Sequence, residues 1–173
     1  LTKLVRLTKL EAPNLSGVLP QDIGKLVSLT SLILKKMSGK IPVQIGDLVK
    51  LEELSLQSKI SGTIVPEVSK LLALTSLDLS GNSEISGVIP PGLTALSNLY
   101  DLKLRQMNKL SGVLPADIGR MSKLQTFDVS ACGVSGTLPS HKTTGFGALT
   151  NLHLSAFSAL DSRISGTIPP FLP

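Results

Sequence analysis

The sequence predicts an α/β solenoid, in which short coils of chain stack along one axis and share a core. Two patterns support this prediction. A Ser-Gly-x-(Ile or Leu)-Pro segment recurs seven times, and the glycines of successive segments lie 22 to 30 residues apart. Between the segments, leucines are spaced first by three residues and then by two, as at Leu26, Leu29, Leu32 and Leu34. Self-similarity at such a period is typical of repeat proteins.

The recurrent segments divide the chain into coils. They begin at Ser16, Ser38, Ser61, Ser86, Ser111, Ser135 and Ser165, and in the third the proline comes one position late, at Pro66. The glycine is expected to supply a backbone turn that a side chain would obstruct. The proline fixes φ and is expected to end strand pairing.

The leucine spacing predicts the two sides of each coil. A spacing of two is strand periodicity, which places Leu32 and Leu34 on one face and Ile33 on the other. A spacing of three, as between Leu26 and Leu29, suits a tight segment with three residues per turn. Coils stacked about 4.8 Å apart would join the strands into a parallel sheet over a continuous leucine core.

Composition excludes several classes of protein. Four Phe, one Tyr and no Trp are too few rings for a base-stacking surface, and the net charge of +5 is scattered, so no nucleic-acid partner is expected. Cys132 is the single cysteine, and with two histidines it cannot complete a zinc site, so no metal and no cofactor are expected. No apolar run approaches the roughly 18 residues of a membrane span. Membrane attachment is therefore expected only through segments outside this chain.

The leucine spacing and the Ser-Gly-x-Ile-Pro segments resemble the plant-type leucine-rich repeats of receptor-like kinases, receptor-like proteins and polygalacturonase-inhibiting proteins. The resemblance extends over essentially all of Leu4 to Pro170. It implies a right-handed horseshoe with a parallel β-sheet on the concave face and short 3-10 or irregular helical segments on the convex side. Residues 1–173 are expected to form a single solenoid of about seven repeats. Because the cysteine-bearing caps of extracellular members are missing, this solenoid is expected to be a fragment. The alternative is a source outside land plants, where the caps differ.

One position departs from the pattern of this family. The family usually has asparagine three residues after the second strand leucine, where its amide satisfies backbone groups of the turn. The corresponding residues here are Met37, Lys59, Asn82, Met107, Cys132 and Phe157. Only Asn82 fits well, although cysteine is also tolerated, and the turns are expected to be less regular than the family norm. Cys132 is expected to be a small buried residue rather than a reactive thiol.

Candidate functional residues lie on the outward side of the predicted strands, which stacking converts into columns. The predicted central column is Glu11, Ile33, Ser55, Asp78, Lys103, Asp128 and His153. The predicted ligand-binding site of the concave face is Asp78, Tyr100, Asp101, Lys103, Arg105, Asp128 and His153. A tyrosine, a guanidinium and several carboxylates suit an extended peptide or a glycan. In the alternative interpretation, opposite charges pair along the column only to keep the sheet soluble and its register fixed.

No enzyme activity is expected from this chain, although a kinase domain elsewhere in a longer chain remains open. Asp128, His153 and either Ser130 or Ser155 form a conceivable catalytic grouping. However, an open sheet lacks a water-excluding pocket and oxyanion donors, because ladder strands use their backbone N–H groups on each other.

The predicted function is noncatalytic recognition of a protein or peptide, or of a glycan, by a module resembling the ectodomain of a leucine-rich-repeat receptor kinase or receptor-like protein. Such a module would be extracellular or at the cell surface. One alternative is a secreted enzyme inhibitor of the polygalacturonase-inhibitor type, which the mixed charges mildly disfavour. A lesser alternative is ice binding, although threonine occupies only three of the seven positions after the repeated glycine.

Overall fold

The computed structural model describes residues 4–140, 143–152, 157–159 and 162–165. Within these residues the chain forms short strands and 3-10 helices in alternation. The strands are β1 (Lys9–Glu11), β2 (Ser16–Val18), β3 (Ser31–Lys40), β4 (Glu53–Thr63), β5 (Ser76–Asp78), β6 (Glu84–Val88), β7 (Asp101–Lys103), β8 (Leu110–Ser111), β9 (Thr126–Asp128), β10 (Ser135–Thr137), β11 (Phe157–Ser158) and β12 (Arg163–Ser165). The 3-10 helices are Gln21–Lys25, Val43–Asp47, Pro66–Lys70, Pro91–Ala95, Ile118–Arg120 and Phe146–Ala148.

The strands form two parallel rows. The first row, which we call the concave sheet, runs in the order β1-β3-β4-β5-β7-β9-β11. The second row is built from β2, the later parts of β3 and β4, then β6 and β8, and it continues in the parallel pair β10-β12. Each coil thus contributes one strand to the concave sheet and one extended segment to the second row. The predicted solenoid is confirmed.

The three-residue leucine spacing reflects the hydrogen bonding of the helical side. The Leu26 N–H donates to Ile23 O at 3.0 Å, and the Leu29 N–H donates to Leu26 O at 2.9 Å. Two successive tight turns therefore run from Ile23 to Leu26 and from Leu26 to Leu29. The side chains of these three residues point inward, with at most 1% exposure. The core formed by these leucines and the strand leucines continues from coil to coil.

The serine of the repeated segment joins neighbouring coils. Each hydroxyl donates to the carbonyl of the glycine in the preceding coil: Ser38 to Gly17, Ser61 to Gly39, Ser86 to Gly62 and Ser111 to Gly87 at 3.1 Å, and Ser135 to Gly112 and Ser165 to Gly136 at 3.4 Å. A small hydroxyl side chain at this position satisfies a backbone acceptor of the second row. This explains why serine recurs with the glycine.

Asn82 has the role predicted for it. Its fully buried side chain donates from Nδ2 to Leu56 O at 2.5 Å and to Leu79 O at 2.8 Å, while Oδ1 accepts the Ile60 N–H at 2.9 Å. The next coil has Met107 at this position, and a thioether has no hydrogen to donate to Leu79 O. Asn82 supplies that donor from its own coil, so one amide serves two turns.

Cys132 is buried, as predicted, and replaces asparagine in the sixth coil. Its Sγ donates to Leu104 O at 2.8 Å, and Leu104 is the counterpart of Leu56 beneath Asn82. The side chain is 4% exposed, and burial raises the pKa of its thiol to about 11. The residue is therefore a neutral thiol that satisfies a backbone carbonyl.

The assignment of Met37 to the asparagine position is wrong. Met37 pairs with Gly17 in the second row, as Ile60 pairs with Gly39, so it occupies the buried apolar position before Ser-Gly. The reason is length, because Leu34 and Ser38 are four positions apart whereas the corresponding residues of the fourth coil, Leu79 and Ser86, are seven apart. The shorter second coil runs straight through as one strand, β3.

The seventh coil also departs from the prediction. Phe157 and Ser158 pair in register with Phe127 and Asp128, so Phe157 lies in the strand and not in the turn position assigned to it. The Leu152 N–H donates to Leu149 O at 3.0 Å, the bond that precedes the strand in other coils. Five positions separate Leu152 from Phe157, against three between Leu124 and Phe127, and the strand is displaced along the sequence accordingly.

This displacement corrects the central column. The place beside Asp128 belongs to Ser158, so the prediction that His153 occupies it is wrong. His153 itself lies outside the described residues. The conceivable grouping of Asp128, His153 and Ser130 loses its basis with this correction.

Candidate recognition surface

The concave sheet brings most of the predicted site residues together. Asp78 of β5 pairs in register with Lys103 of β7, and Lys103 pairs with Asp128 of β9. Asp101 begins β7 and lies on the same face as Lys103, since residues two apart on a strand share a side. Parallel register and alternation thus place three carboxylates around one ammonium group.

Lys103 forms its ion pair within its own strand. Its Nζ lies 2.6 Å from Oδ2 of Asp101, whose side chain is only 15% exposed. The hydrogen bond to Asp101 is the main cause that raises the pKa of Lys103, and the nearby charge of Asp78 adds to it. In the part of the chain that the structure describes, Lys103 makes no salt bridge to Asp78 or Asp128. The expected pairing of charges between coils is therefore replaced by a pair along one strand.

The other two carboxylates accept hydrogen bonds from their surroundings. Asp78 accepts the Gln57 amide at 2.5 Å through Oδ2 and the Ser80 N–H at 2.9 Å through Oδ1. Asp128 accepts both the N–H and the hydroxyl of Ser130 through Oδ1, at 2.9 and 2.5 Å. Each aspartate thus fixes the residue two positions later, at the end of its strand.

Two cations next to these carboxylates have no such partner. Lys35 and Arg105 are exposed, and neither forms a salt bridge to any described residue. They line a cavity of about 270 Å³ together with Gln57, Ser58, Ser80, Gly81 and Gln106. The Ser80 Oγ at this cavity is buried and has no hydrogen-bond partner within the described chain. We call this the cationic cavity, because its charged side chains are both basic.

Tyr100 lies at the opposite edge of the same coil. It precedes β7, whereas Arg105 follows it, and the tyrosine side chain is 50% exposed. Tyr100 lines a separate cavity of about 510 Å³ with Thr75, Asn98, Lys123, Gln125 and Asn151. Two of the predicted site residues, Tyr100 and Arg105, therefore line two different cavities that share no residue. The carboxylates and Lys103 line neither cavity.

The described residues contain no cluster of histidine, cysteine, aspartate and glutamate side chains that could hold a metal ion. Among the same residues, no helix has the length and apolar character needed to cross a bilayer.

Comparisons with known proteins agree with the architecture. The sequence profile of the family described as Leucine Rich Repeat matches residues 73–96. The fold superposes on the plant peptide hormone receptor RGFR1, solved in complex with RGF2, with a TM-score of 0.83 and 32% identity, covering 95% of this chain and 26% of that one. The chain is a plant-type leucine-rich-repeat protein, similar to receptor-kinase ectodomains.

Two further ectodomains show the extent of this similarity. The Arabidopsis receptor kinase HAESA, solved with the peptide hormone IDA and the co-receptor SERK1, matches with a TM-score of 0.78 and 28% identity over 89% of this chain and 25% of that one. The SOBIR1 ectodomain from Arabidopsis thaliana matches with a TM-score of 0.64 and 30% identity over 73% and 65% of the two chains. This leucine-rich-repeat chain thus spans about a quarter of the RGFR1 and HAESA chains. No curated protein sequence matches it.

Several residues of the two cavities were not among the predicted site residues. Lys35, Gln57 and Ser80 share a column with Arg105. The sequence signal for Lys35 is that neither of its neighbours in this column, Pro13 and Gln57, is acidic. Asn98 and Gln125 lie before the strands, where Tyr100 was the only predicted site residue.

Proposed function

We propose that the concave face is a noncatalytic recognition surface for an extended peptide ligand that carries a carboxylate beside Arg105. The observation that supports this proposal most directly is the cationic cavity, where Lys35 and Arg105 have no acidic partner among the described residues. The matched structures of RGFR1 and HAESA were solved with peptide hormones. By this similarity the protein acts in ligand sensing outside the cell or at its surface.

The hydrogen bonding of the concave face determines the charge that it offers to a ligand. Asp78, Asp101 and Asp128 each accept hydrogen bonds from protein groups, so their negative charge is partly offset in place. Arg105 retains five N–H donors in a planar fork, which suits a carboxylate oxygen pair. A ligand carboxylate at this position would pair with Arg105 without first breaking an ion pair between Arg105 and a described side chain.

Strand geometry favours an extended peptide at this surface. Successive residues of a concave column lie about 5 Å apart, so a peptide crossing the coils can contact one side chain in each. The unpartnered Ser80 Oγ lies between the two cations and is available to a ligand carbonyl or carboxylate. This arrangement gives one charged anchor and a series of polar contacts.

A peptide display library with randomised twelve-residue inserts tests the proposal. We expect selected binders to be enriched in aspartate and glutamate, and Arg105→Glu to weaken their binding at least tenfold. The matched control is Lys70→Glu, which reverses an exposed cation on the helix Pro66–Lys70 and is expected to leave binding unchanged. Enrichment of basic peptides, equal binding by Arg105→Glu, or failure to select any peptide would contradict the proposal.

A further inference from the structure

The residue immediately before the concave strand is threonine in the first, second and fourth coils and Glu52 in the third. The hydroxyl of Thr30 donates to the carbonyl of Thr8 at 3.0 Å, and the hydroxyl of Thr75 donates to the carbonyl of Glu52 at 2.9 Å. These threonines are therefore engaged with the preceding coil. The same position in the fifth and sixth coils holds Tyr100 and Gln125.

The side chains of Tyr100 and Gln125 are free for a ligand. Neither forms a hydrogen bond with any residue that the structure describes, although the backbone bond from the Gln125 N–H to Tyr100 O is kept at 2.8 Å. Tyr100 is 50% exposed, so about half of its side chain surface is available to a ligand. An exposed aromatic ring beside an unengaged amide is a typical ligand contact.

Three further polar side chains lie beside Tyr100 and Gln125, and hydrogen bonds within the protein hold them in place. Asn98 donates from Nδ2 to Leu72 O at 2.9 Å, and Asn151 donates from Nδ2 to Ser122 O at 2.7 Å. Lys123 donates from Nζ to Oδ1 of Asn98 at 2.8 Å. Because these bonds fix the amides before any ligand arrives, binding to them costs little side-chain entropy.

These side chains line the open cavity of about 510 Å³ described above. Its lining provides three amides, two hydroxyl groups and one ammonium group, and none of the six lining residues is acidic. The cavity therefore combines one aromatic face with a rim that can both donate and accept hydrogen bonds.

We propose that this cavity binds a pyranose ring of an oligosaccharide. A pyranose has an apolar face of C–H groups, which packs on an aromatic ring, and a rim of hydroxyl groups, which both donate and accept hydrogen bonds. The exposed ring of Tyr100 matches the first feature, and the amides of Gln125 and Asn151 match the second. A cavity of this size accommodates one to two sugar rings.

The saccharide site is independent of the proposed peptide surface. The cationic cavity shares no lining residue with it, and strand β7 separates Tyr100 from Arg105. A failure at either site therefore does not remove the other. Lys123 gives the saccharide cavity one positive charge, so an acidic sugar is expected to bind more tightly than its neutral counterpart, with the difference falling as salt rises.

Saturation-transfer NMR with defined trisaccharides tests the proposal. The probes are cellotriose, maltotriose, xylotriose, mannotriose, chitotriose and trigalacturonic acid, each at millimolar concentration with the folded chain. We expect transfer to ring protons of at least one probe, complete loss of transfer in Tyr100→Ala, and about tenfold weaker binding in Gln125→Leu. Tyr100→Phe keeps the ring face and is expected to retain binding.

Two control variants show whether saccharide binding is specific to this cavity. Val113→Ala removes an exposed apolar side chain of the second row and is expected to leave saccharide binding unchanged, as is Arg105→Glu. Transfer from none of the six probes, or equal transfer in Tyr100→Ala, would overturn the proposal. Loss of selected-peptide binding in Tyr100→Ala would instead assign this cavity to the peptide surface and would also overturn it.

Discussion

The side chain of Val88 lies over Gly112 of the next coil so closely that a Cβ atom on the glycine would stand 2.9 Å from Cγ1 of the valine. Val113 has the same relation to Gly136, at 2.9 Å. Val88, which follows Gly87, and Val113, which follows Gly112, therefore each occupy the space that the glycine of the following coil leaves open. The repeated segment is thus a contact between coils as well as a turn within one.

Replacing Gly112 by alanine is expected to destabilise the protein through two effects. Its φ of +85° costs a side-chain-bearing residue about 1–2 kcal/mol, and the contact with Val88 adds roughly 1–3 kcal/mol of overpacking. Gly81 has a φ of +79° but nothing within 4 Å of its hypothetical Cβ, so Gly81→Ala should show the backbone cost alone. Chemical denaturation of both variants measures the difference.

A second substitution identifies the cause of this difference. Truncation of Val88 to alanine removes the Cγ1 atom that the new methyl group would meet. We expect Val88→Ala to be less destabilising in the Gly112→Ala background than in the wild-type chain. If Gly81→Ala and Gly112→Ala cost the same free energy, the packing role of Gly112 is wrong.

Asn82 is expected to be the most sensitive polar residue of the core. Asn82→Leu keeps a similar volume but leaves Leu56 O, Leu79 O and the Ile60 N–H without the partners that the amide provides. Each unsatisfied buried group costs about 1–3 kcal/mol, so the free energy of unfolding should fall by at least about 3 kcal/mol. Asn82→Cys retains one donor, as Cys132 does, and should be intermediate. Equal stability of the leucine and cysteine variants would contradict this role.

The fold was predictable because leucine recurs in successive coils at the two spacings that a 3-10 turn and a strand require. Leu26 and Leu29 are spaced by three since a 3-10 hydrogen bond joins them, and the strand leucines are spaced by two since a strand alternates its faces. The seventh coil shows where this logic fails. Its Leu152-His153-Leu154 satisfies the strand pattern in sequence, but the register places the strand at Phe157, five positions after Leu152.

The candidate surface was less predictable because it depends on side-chain partners. Sequence alternation places Asp78 and Lys103 in one column, and the structure confirms that register. The choice of Asp101 as the partner of Lys103, and of Gln57 as the donor to Asp78, depends on which rotamers the neighbouring coils allow. Those choices leave Arg105, like Lys35, without an acidic partner among the described residues.

Removing Asp101 should alter Lys103 in a measurable way. In Asp101→Asn the main cause of the raised pKa of Lys103 is lost, so that pKa should move down toward its ordinary value. A raised lysine pKa stabilises the fold fully below about pH 10.4, the unfolded value, and this contribution is lost as pH rises through the folded value. NMR titration of the Lys103 side chain measures the shift. Asp78→Asn, which removes a smaller contribution, should lower the pKa less.

The thermodynamic coupling between these two residues should be small. Lys103 keeps 39% of its side chain exposed, so solvent screens the pair, and a double-mutant cycle with Asp101→Asn and Lys103→Met should give about 0.5–1 kcal/mol. A coupling above about 3 kcal/mol would show that the pair is a structural element of the core. It would then be a poor candidate for adjusting to a ligand.

Cys132 should make the stability of the protein depend on alkaline pH. Its thiol has a pKa of about 11 in the fold, chiefly because it is buried, against about 8.5 in an unfolded chain. Because the folded value is the higher one, the contribution is fully present below about pH 8.5 and is lost as pH rises toward 11. Between pH 7.5 and 10, the wild-type chain should lose about 1–2 kcal/mol more than a variant without this thiol.

Cys132→Ser is the matched variant for this measurement. Its hydroxyl can still donate to Leu104 O, but it does not titrate in this range, so the lysines and the tyrosine affect both proteins equally. Denaturation midpoints of the two proteins at pH 7.5, 8.5, 9.2 and 10 should therefore diverge only above the unfolded thiol pKa. Parallel curves across the whole range would mean that the folded thiol ionises as easily as the unfolded one, which is incompatible with its burial beneath the turn. Reaction with a thiol reagent at pH 8 should likewise be slow in the native chain and fast after unfolding, because the reactive thiolate forms only when Cys132 leaves its buried position.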